Sequence, residues 1–400
     1  MNLDLLFALL FYVLLILFFY KHKENLQVQG KIIALYRTKM GLKLMDKIAQ
    51  TSPRFLRVLG VIGVIAGFGG MAFIFYWLIK GTWDLLFVPQ AVPAVAPVLP
   101  GIKVIPGLPV LSFWHWIIAI FIVAVVHEFS HGVFARLYGT KVKSSGIAVF
   151  GPILGAFVEP DEKILAKKSK TVQLSIFAAG PFSNILLGLL FLALFNFIAT
   201  PVYNQIYISD GITVNEVLDK YPTAKLGIET PFIIRGINDH ETLNITSFLE
   251  QTKDIHPGDT MTLNTDKGEY QVTTVENPDN KTRAFIGISG LEINKKVRPS
   301  IIEQYGTFLP QAFTWLHMLL FWLVIVNFGV GLFNLLPLGP IDGGRMFLTG
   351  MLAFFSERKA KRIWAFMGFF CLLLIFVNLA PYLWKLVLWL MKPFMLIFGV

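Results

Sequence analysis

The sequence predicts an all-α polytopic membrane protein of about six to seven spans, with a re-entrant β segment and one small α+β extramembrane domain. Three observations carry this. The chain is 55% hydrophobic and 15% charged, a balance outside the range of soluble domains. Apolar runs long enough to cross a bilayer recur near residues 3–20, 58–79, 112–136, 172–198, 312–336 and 363–380. Between the fourth and fifth runs lies a stretch of another kind. Residues 201–300 hold 14 of the 25 acidic residues and 10 of the 35 basic ones, a net of −4 that leaves +14 for the rest.

The elements follow in order. Nothing basic precedes the first run and no small-residue cleavage pattern follows it, so it reads as a span and not as a signal peptide. Residues 21–57 carry nine Lys or Arg against two acids, which assigns that loop to the cytoplasm and the N-terminus to the outside. The Pro- and Gly-rich 80–111 loop, with two Lys and no Arg, fits outside, on or dipping into the outer leaflet. Residues 136–170 hold seven basic residues and 343–362 hold five, so both fit inside and 201–300 fits outside. These loops account for the basic excess. The cations make no stripe, which excludes a nucleic-acid partner.

Residues 143–158, KSSGIAVFGPILGAFV, are too short to cross and too apolar for a surface loop. Such backbone is tolerated at membrane depth only when protein or a water-filled cavity covers it. A re-entrant strand pair is expected there, with a partly buried connector as the other reading. Run 381–400, interrupted by Pro381, Lys385, Lys392 and Pro393, either crosses as a seventh span or lies along the interface. The chain then divides into an N-terminal span with its basic loop (1–57), a membrane core (58–200), an external domain (201–300) and a second membrane part (301–400). Cys371, alone in a span, reads as a small apolar residue.

Within 201–300, GITVNEVL and FIIRGIND alternate as strands do, and SFLEQTKDI has helical spacing. TMTLNTDKGEYQVTTVE is two alternating runs around an Asp-Lys-Gly turn, a hairpin. AFIGISG closes the domain as a last strand. The order resembles a PDZ domain, and the resemblance implies a module that takes a peptide or an ectodomain segment by strand addition. A plain spacer or size filter is the other reading.

The chemistry sits in HEFSH, at the end of the third run. Positions four apart share a helix face, so His127 and His131 can offer their imidazoles to one Zn²⁺, and Glu128 lies beside them to take a proton from water. Ionisable groups at membrane depth are costly and mark function. A catalytic zinc site needs a third protein donor and one open position. Asp342 in NLLPLGPIDGGR is the candidate. Pro337 and Pro340 stop the preceding apolar helix, and Gly343 and Gly344 let the chain turn against a neighbour. His127 precedes the basic loop by about nine residues, roughly 14 Å along a helix, a depth Asp342 can meet from its own side.

HEFSH in one span, AAGPFSN (Ala178 to Asn184) in the next and NLLPLGPIDGG in a later one resemble the site-2 protease family of intramembrane zinc metalloproteases. The resemblance covers roughly residues 112–380. It implies His127, His131 and Asp342 as zinc ligands and Glu128 as the catalytic base. It further implies Asn334 near the scissile peptide, Pro337 shaping that loop and Asn184 in a packing or polar role, all grouped with the substrate site. The family's usual Leu before the Asp is Ile341 here. The substrate it implies is a transmembrane helix of a single-pass regulatory protein. Such a helix must unwind before attack. Pairing with the 143–158 segment, through Gly146, Ile147 and Val149, would hold it extended. Two other readings remain at this stage: a membrane-anchored zincin with a cytoplasmic site, and a non-enzymatic transporter or PDZ scaffold with a four-donor metal. His115 and His317 read as packing residues, and His240 and His256 as surface residues.

Overall fold

The computed structural model describes residues 3–29, 33–89, 91–102, 108–151 and 153–398. In chain order the first elements are α1 (Leu3–Lys21), β1 (Leu26–Gln29), β2 (Ile33–Thr38), α2 (Leu42–Thr51), α3 (Pro53–Phe87), α4 (Phe113–Leu137), β3 (Val142–Phe150) and β4 (Ile153–Pro160). Then come α5 (Glu162–Leu165), α6 (Lys170–Leu194), α7 (Thr200–Ile206), β5 (Tyr207–Val217), β6 (Phe232–Ile237), β7 (His240–Glu241) and α8 (Ile245–Thr252). The chain closes with β8 (Thr260–Thr265), β9 (Gly268–Thr273), β10 (Val275–Glu276), β11 (Ala284–Phe285), β12 (Ile288–Val297), α9 (Pro299–Tyr305), α10 (Phe308–Phe333), α11 (Asp342–Phe354) and α12 (Glu357–Phe398). Two compact units result, Met1–Phe195 with Met318–Val400, and Asn196–His317.

The described residues contain six helices long and apolar enough to cross a membrane: α1, α3, α4, α6 continuing to Ile206, α10 and α12. The 381–400 run forms no separate helix. It continues α12 unbroken to Phe398, and residues 399–400 lie outside the described residues. Pro381 forgoes one backbone bond without ending the helix, a loss that apolar helices absorb by local adjustment. The 80–111 loop, of which residues 90 and 103–107 lie outside the described residues, is pinned to the helices. Asn378 of α12 accepts from the Ala94 N–H (2.8 Å) and donates to Thr82 of α3 (2.6 Å).

Helix α4 is apolar on every side and packed accordingly, with Trp116, Val123, His127, His131 and Ala135 all buried. Its first turn is capped by Ser112, whose Oγ accepts from the His115 N–H at 3.3 Å. Glycines on α3 admit the neighbouring helices. A Cβ at Gly63 would meet the Phe182 ring at 3.2 Å, and one at Gly67 would meet Met346 Cε at 2.6 Å.

The expected strand pair is present as β3–β4, and the sheet is larger than expected. β1 and β2, from the basic N-terminal loop, extend it to an antiparallel order β1-β2-β3-β4. Arg37 of β2 stitches the strands together. It donates to Gln27 (2.8 Å) and Ser144 (2.9 Å), pairs with the Glu159 carboxylate, and lies 5.7 Å from the Phe157 ring centroid.

The second unit is a sheet of order β12-β5-β6-β8-β9 with β7 beside β6. Its core is Val214, Phe232, Ile234 and Leu263, each 0% exposed. The predicted hairpin is β8–β9, closing with Thr265 opposite Gly268 around Asp266 and Lys267. α8 begins with a reciprocal cap between Asn244 and Ser247. The last strand, β12, runs well past AFIGISG and pairs along β5 from Val217 to Tyr207. At its far end Lys296 (2.5 Å) and Arg235 (3.0 Å) hydrogen-bond the Asp210 carboxyl and hold it below the usual carboxylate range. That cluster therefore contributes stability that is fully present above the ordinary carboxylate pKa and is lost progressively as pH falls from there through the lowered value.

Candidate active site

Three donor atoms meet between α4 and α11. His127 Nε2 and His131 Nε2 lie 3.2 Å apart, and Asp342 Oδ2 lies 2.9 Å from the first and 3.2 Å from the second. The cause is local. Four-residue spacing stacks the imidazoles on one face of α4. α10 ends at Phe333, and residues 334–341 form a tight loop closed by the Gly343 N–H donating to Asn334 O at 2.7 Å. A Cβ at Gly343 would stand 2.3 Å from Leu335 O, so only glycine closes the loop and delivers Asp342.

The donor set fits zinc. Two imidazoles and a carboxylate are zinc ligands by type, and donors on a tetrahedron around zinc stand about 3.3 Å apart for bonds of ~2.05 Å. The group comprises three donors and not four among the described residues, the number a hydrolytic site needs to keep one position open. Gly180 of α6 leaves the room. A Cβ there would lie 2.4 Å from His131 Nε2 and 2.6 Å from His127 Nε2, so the space both nitrogens point into exists because residue 180 has no side chain.

The far side of each ring is also held. His131 Nδ1 donates to Ile176 O at 2.7 Å. His127 Nδ1 lies 3.0 Å from the Asn184 side-chain nitrogen, while Asn184 Oδ1 is buried without a partner. Two donors cannot satisfy each other. When Nε2 binds a metal, Nδ1 carries the proton, and the Asn184 amide turned over places Oδ1 to accept it, which satisfies both groups.

Glu128 Oε2 accepts from the Val158 N–H of β4 at 3.0 Å. His127, Glu128, His131, Asp342 and Asn334 line one cavity of about 690 Å³, closed on one side by Phe157 to Pro160 of β4. At its rim Arg345 pairs with Glu162 at 3.0 Å.

The profile of peptidase family M50 matches residues 115–375, which contain every one of these groups outside the N-terminal strands. The chain belongs to peptidase family M50. This is the family of the site-2 proteases, and membership makes the protein a metalloprotease. An uncharacterized protein of Methanocaldococcus jannaschii is 30% identical over 356 residues, covering 87% of this chain and 86% of that one. A Clostridium acetobutylicum protein named "putative zinc metalloprotease" is 25% identical over 313 residues, 60% of this chain and 87% of its own length. A solved PDZ domain of an SdrC-like protein from Listeria monocytogenes is similar to 23% of this chain and over 92% of its own, at 18% identity and a TM-score of 0.18. That score carries no weight for the fold.

Several residues of this M50 peptidase sit elsewhere than the sequence suggested. Asn184, grouped there with the substrate site, is 0% exposed behind His127 and does not line the cavity. Pro337 is buried and also off the lining, so it shapes the loop from behind. Gly146, Ile147 and Val149 lie on β3, which is paired on both edges: with Arg37, Tyr36 and Ala34 of β2, and with Phe157, Ala156 and Leu154 of β4. No strand can be added to β3. Among the described residues no strand pairs with the second edge of β4, and hydrogen bonding alternates along an antiparallel strand. With the Val158 N–H turned outward to Glu128, those of Ala156 and Leu154 face outward too.

His115 binds Ser112 Oγ at 2.7 Å, and His317 stacks on Tyr203 at 4.5 Å. Neither joins the cluster, nor do His240 and His256. Gly180, Val158 and Arg37 were missed. For Gly180 a signal existed, a lone glycine inside AAGPFSN. Gly180→Ala is expected to lower zinc affinity by more than the ten- to hundredfold typical of an outer-shell loss. Chelator competition on the purified variant checks this, and wild-type affinity would show that the space at residue 180 is not the metal's.

Proposed function

We propose that this M50 peptidase is an intramembrane zinc metalloprotease that hydrolyses peptide bonds in transmembrane segments of membrane proteins, its substrate being a single-pass regulatory protein. The observation that carries the reading is the convergence of His127, His131 and Asp342 at 2.9–3.2 Å in a cavity that Glu128 also lines. His127, His131 and Asp342 would hold the zinc. When bound, zinc polarises a peptide carbonyl and acidifies water as a Lewis acid. Glu128 keeps one carboxylate oxygen on the Val158 amide and uses the other to take the proton of the attacking water, which it then passes to the leaving amine nitrogen. Asn334, on the opposite wall, donates to the substrate backbone. The substrate chain, unwound, adds to the open edge of β4, where the outward amides of Ala156 and Leu154 replace hydrogen bonds it gave up.

Donors drawn from within the apolar helix α4 and from the start of α11, just after the apolar α10, favour this over a zincin with its site in a soluble segment. Three donors favour it over a closed four-ligand scaffold site. Charge alternation supports an external N-terminus and an external 201–300 domain, with the zinc toward the cytoplasmic side. An external domain would then regulate access and take no part in the chemistry.

Purified full-length protein, given a model transmembrane peptide in detergent, should cleave it, stop after zinc chelation and recover on zinc addition. Cleavage that survives complete zinc removal would sink the reading. Removing residues 201–300 should leave cleavage of a short substrate intact and relax discrimination against bulky ectodomains. A folded, zinc-loaded deletion variant that cleaves neither kind would refute the access role.

A further inference from the structure

We infer that the main-chain amide of Val158 orients the Glu128 carboxylate, so that the strand edge receiving the substrate also holds the base in register with it. This rests on the protease reading above and deepens it. The bond is direct: Val158 N–H to Glu128 Oε2, 3.0 Å. It is charge-assisted, with a backbone donor that cannot rotate away.

A second contact fixes its length. Gly132 lies one turn after Glu128 on the same face of α4, and a Cβ there would stand 3.2 Å from Val158 Cγ1. The Val158 side chain thus seats β4 on α4 beside Glu128, and Arg37 holds the same stretch of β4 through Glu159. A free glutamate side chain has several rotatable bonds to order before it can act. Here one carboxylate oxygen is tied, and the residue lines the cavity it serves. The outer edge of β4 therefore has two duties along its length. Leu154 and Ala156 present outward amides to a substrate strand, and at Val158 that edge is occupied by Glu128. A substrate paired with the first two positions runs directly toward the base, so main-chain register, and not side-chain identity, sets which peptide bond reaches it.

The test replaces single backbone amides by esters, which removes an N–H and keeps the side chain. The ester at Val158 should lower kcat about ten- to a hundredfold, the loss expected for a hydrogen bond to a charged group. KM and zinc content should stay as in the wild type. The ester at Ala156 should raise KM and leave kcat close to the wild-type value. Val158→Pro removes the same N–H at an outer strand edge, where proline is tolerated, and should repeat the kcat loss. An unchanged kcat in the Val158 ester, a change confined to its KM, or a loss of its zinc would each overturn the inference while the protease reading stands. A wild-type protein that cleaves no membrane peptide would remove both.

Discussion

Asp342→Ala is expected to lose both proteolysis and most of the bound zinc. Asp342 supplies the only carboxylate of the three converging donors, 2.9 and 3.2 Å from the two imidazoles. Without it two neutral ligands remain. Outer-shell losses alone cost zinc sites ten- to a hundredfold in affinity, and loss of a direct ligand exceeds that. The fold should survive. Asp342 is the first residue of α11, and the loop before it is closed by the Gly343 N–H on Asn334 O, a backbone bond that alanine leaves in place. Zinc per protein, measured by mass spectrometry on a purified variant with wild-type helicity, decides the matter. Full occupancy would move the third ligand elsewhere.

Glu128→Gln should behave differently, losing proteolysis while keeping the metal. Glu128 follows His127 by one residue and so points off the ligand face, and its carboxylate is engaged with Val158 of β4. Glutamine keeps the shape and can accept from the same N–H, but it cannot take a proton from water. General-base catalysis contributes about 10²–10⁴ in rate, and the variant should lose at least that. Zinc near zero in purified Glu128→Gln would make Glu128 a ligand and cancel the assignment. The pair of variants separates the two roles: one loses the metal, the other only the proton transfer.

How much of this was legible in the sequence follows from the range of each interaction. The helices and the His127–His131 pair are local. Their signal is apolar run length and a four-residue spacing, both visible along one segment. Asp342 was legible because its loop carries its own punctuation, Pro337, Pro340, Gly343 and Gly344. The β3–β4 pair was legible as an apolar stretch too short to span. What was not legible depends on pairing across the chain. Nothing in 26–38 announces that β2 will lie against β3, so Gly146, Ile147 and Val149 looked like an edge when they are interior. Asn184 was visible as a polar residue in a span, but its partner, His127, lies 57 positions away. The use of Gly180 is likewise a fact about what two helices leave empty between them. The 381–400 run left two readings open for the opposite reason. Pro381 and the flanking lysines are strong local signals, and a long apolar helix overrode them.

The four-stranded sheet also bears on what counts as the smallest working unit. The family segment begins at residue 115, yet β1 and β2 end before it, and Arg37 is tied to the strand that walls the cavity. A protein trimmed to the family segment would retain every metal ligand and the base while losing half the sheet that backs β4. In a chain split between Thr38 and Phe113, the C-terminal fragment would carry every residue that lines the cavity, and the N-terminal one would carry the strands that back its β wall.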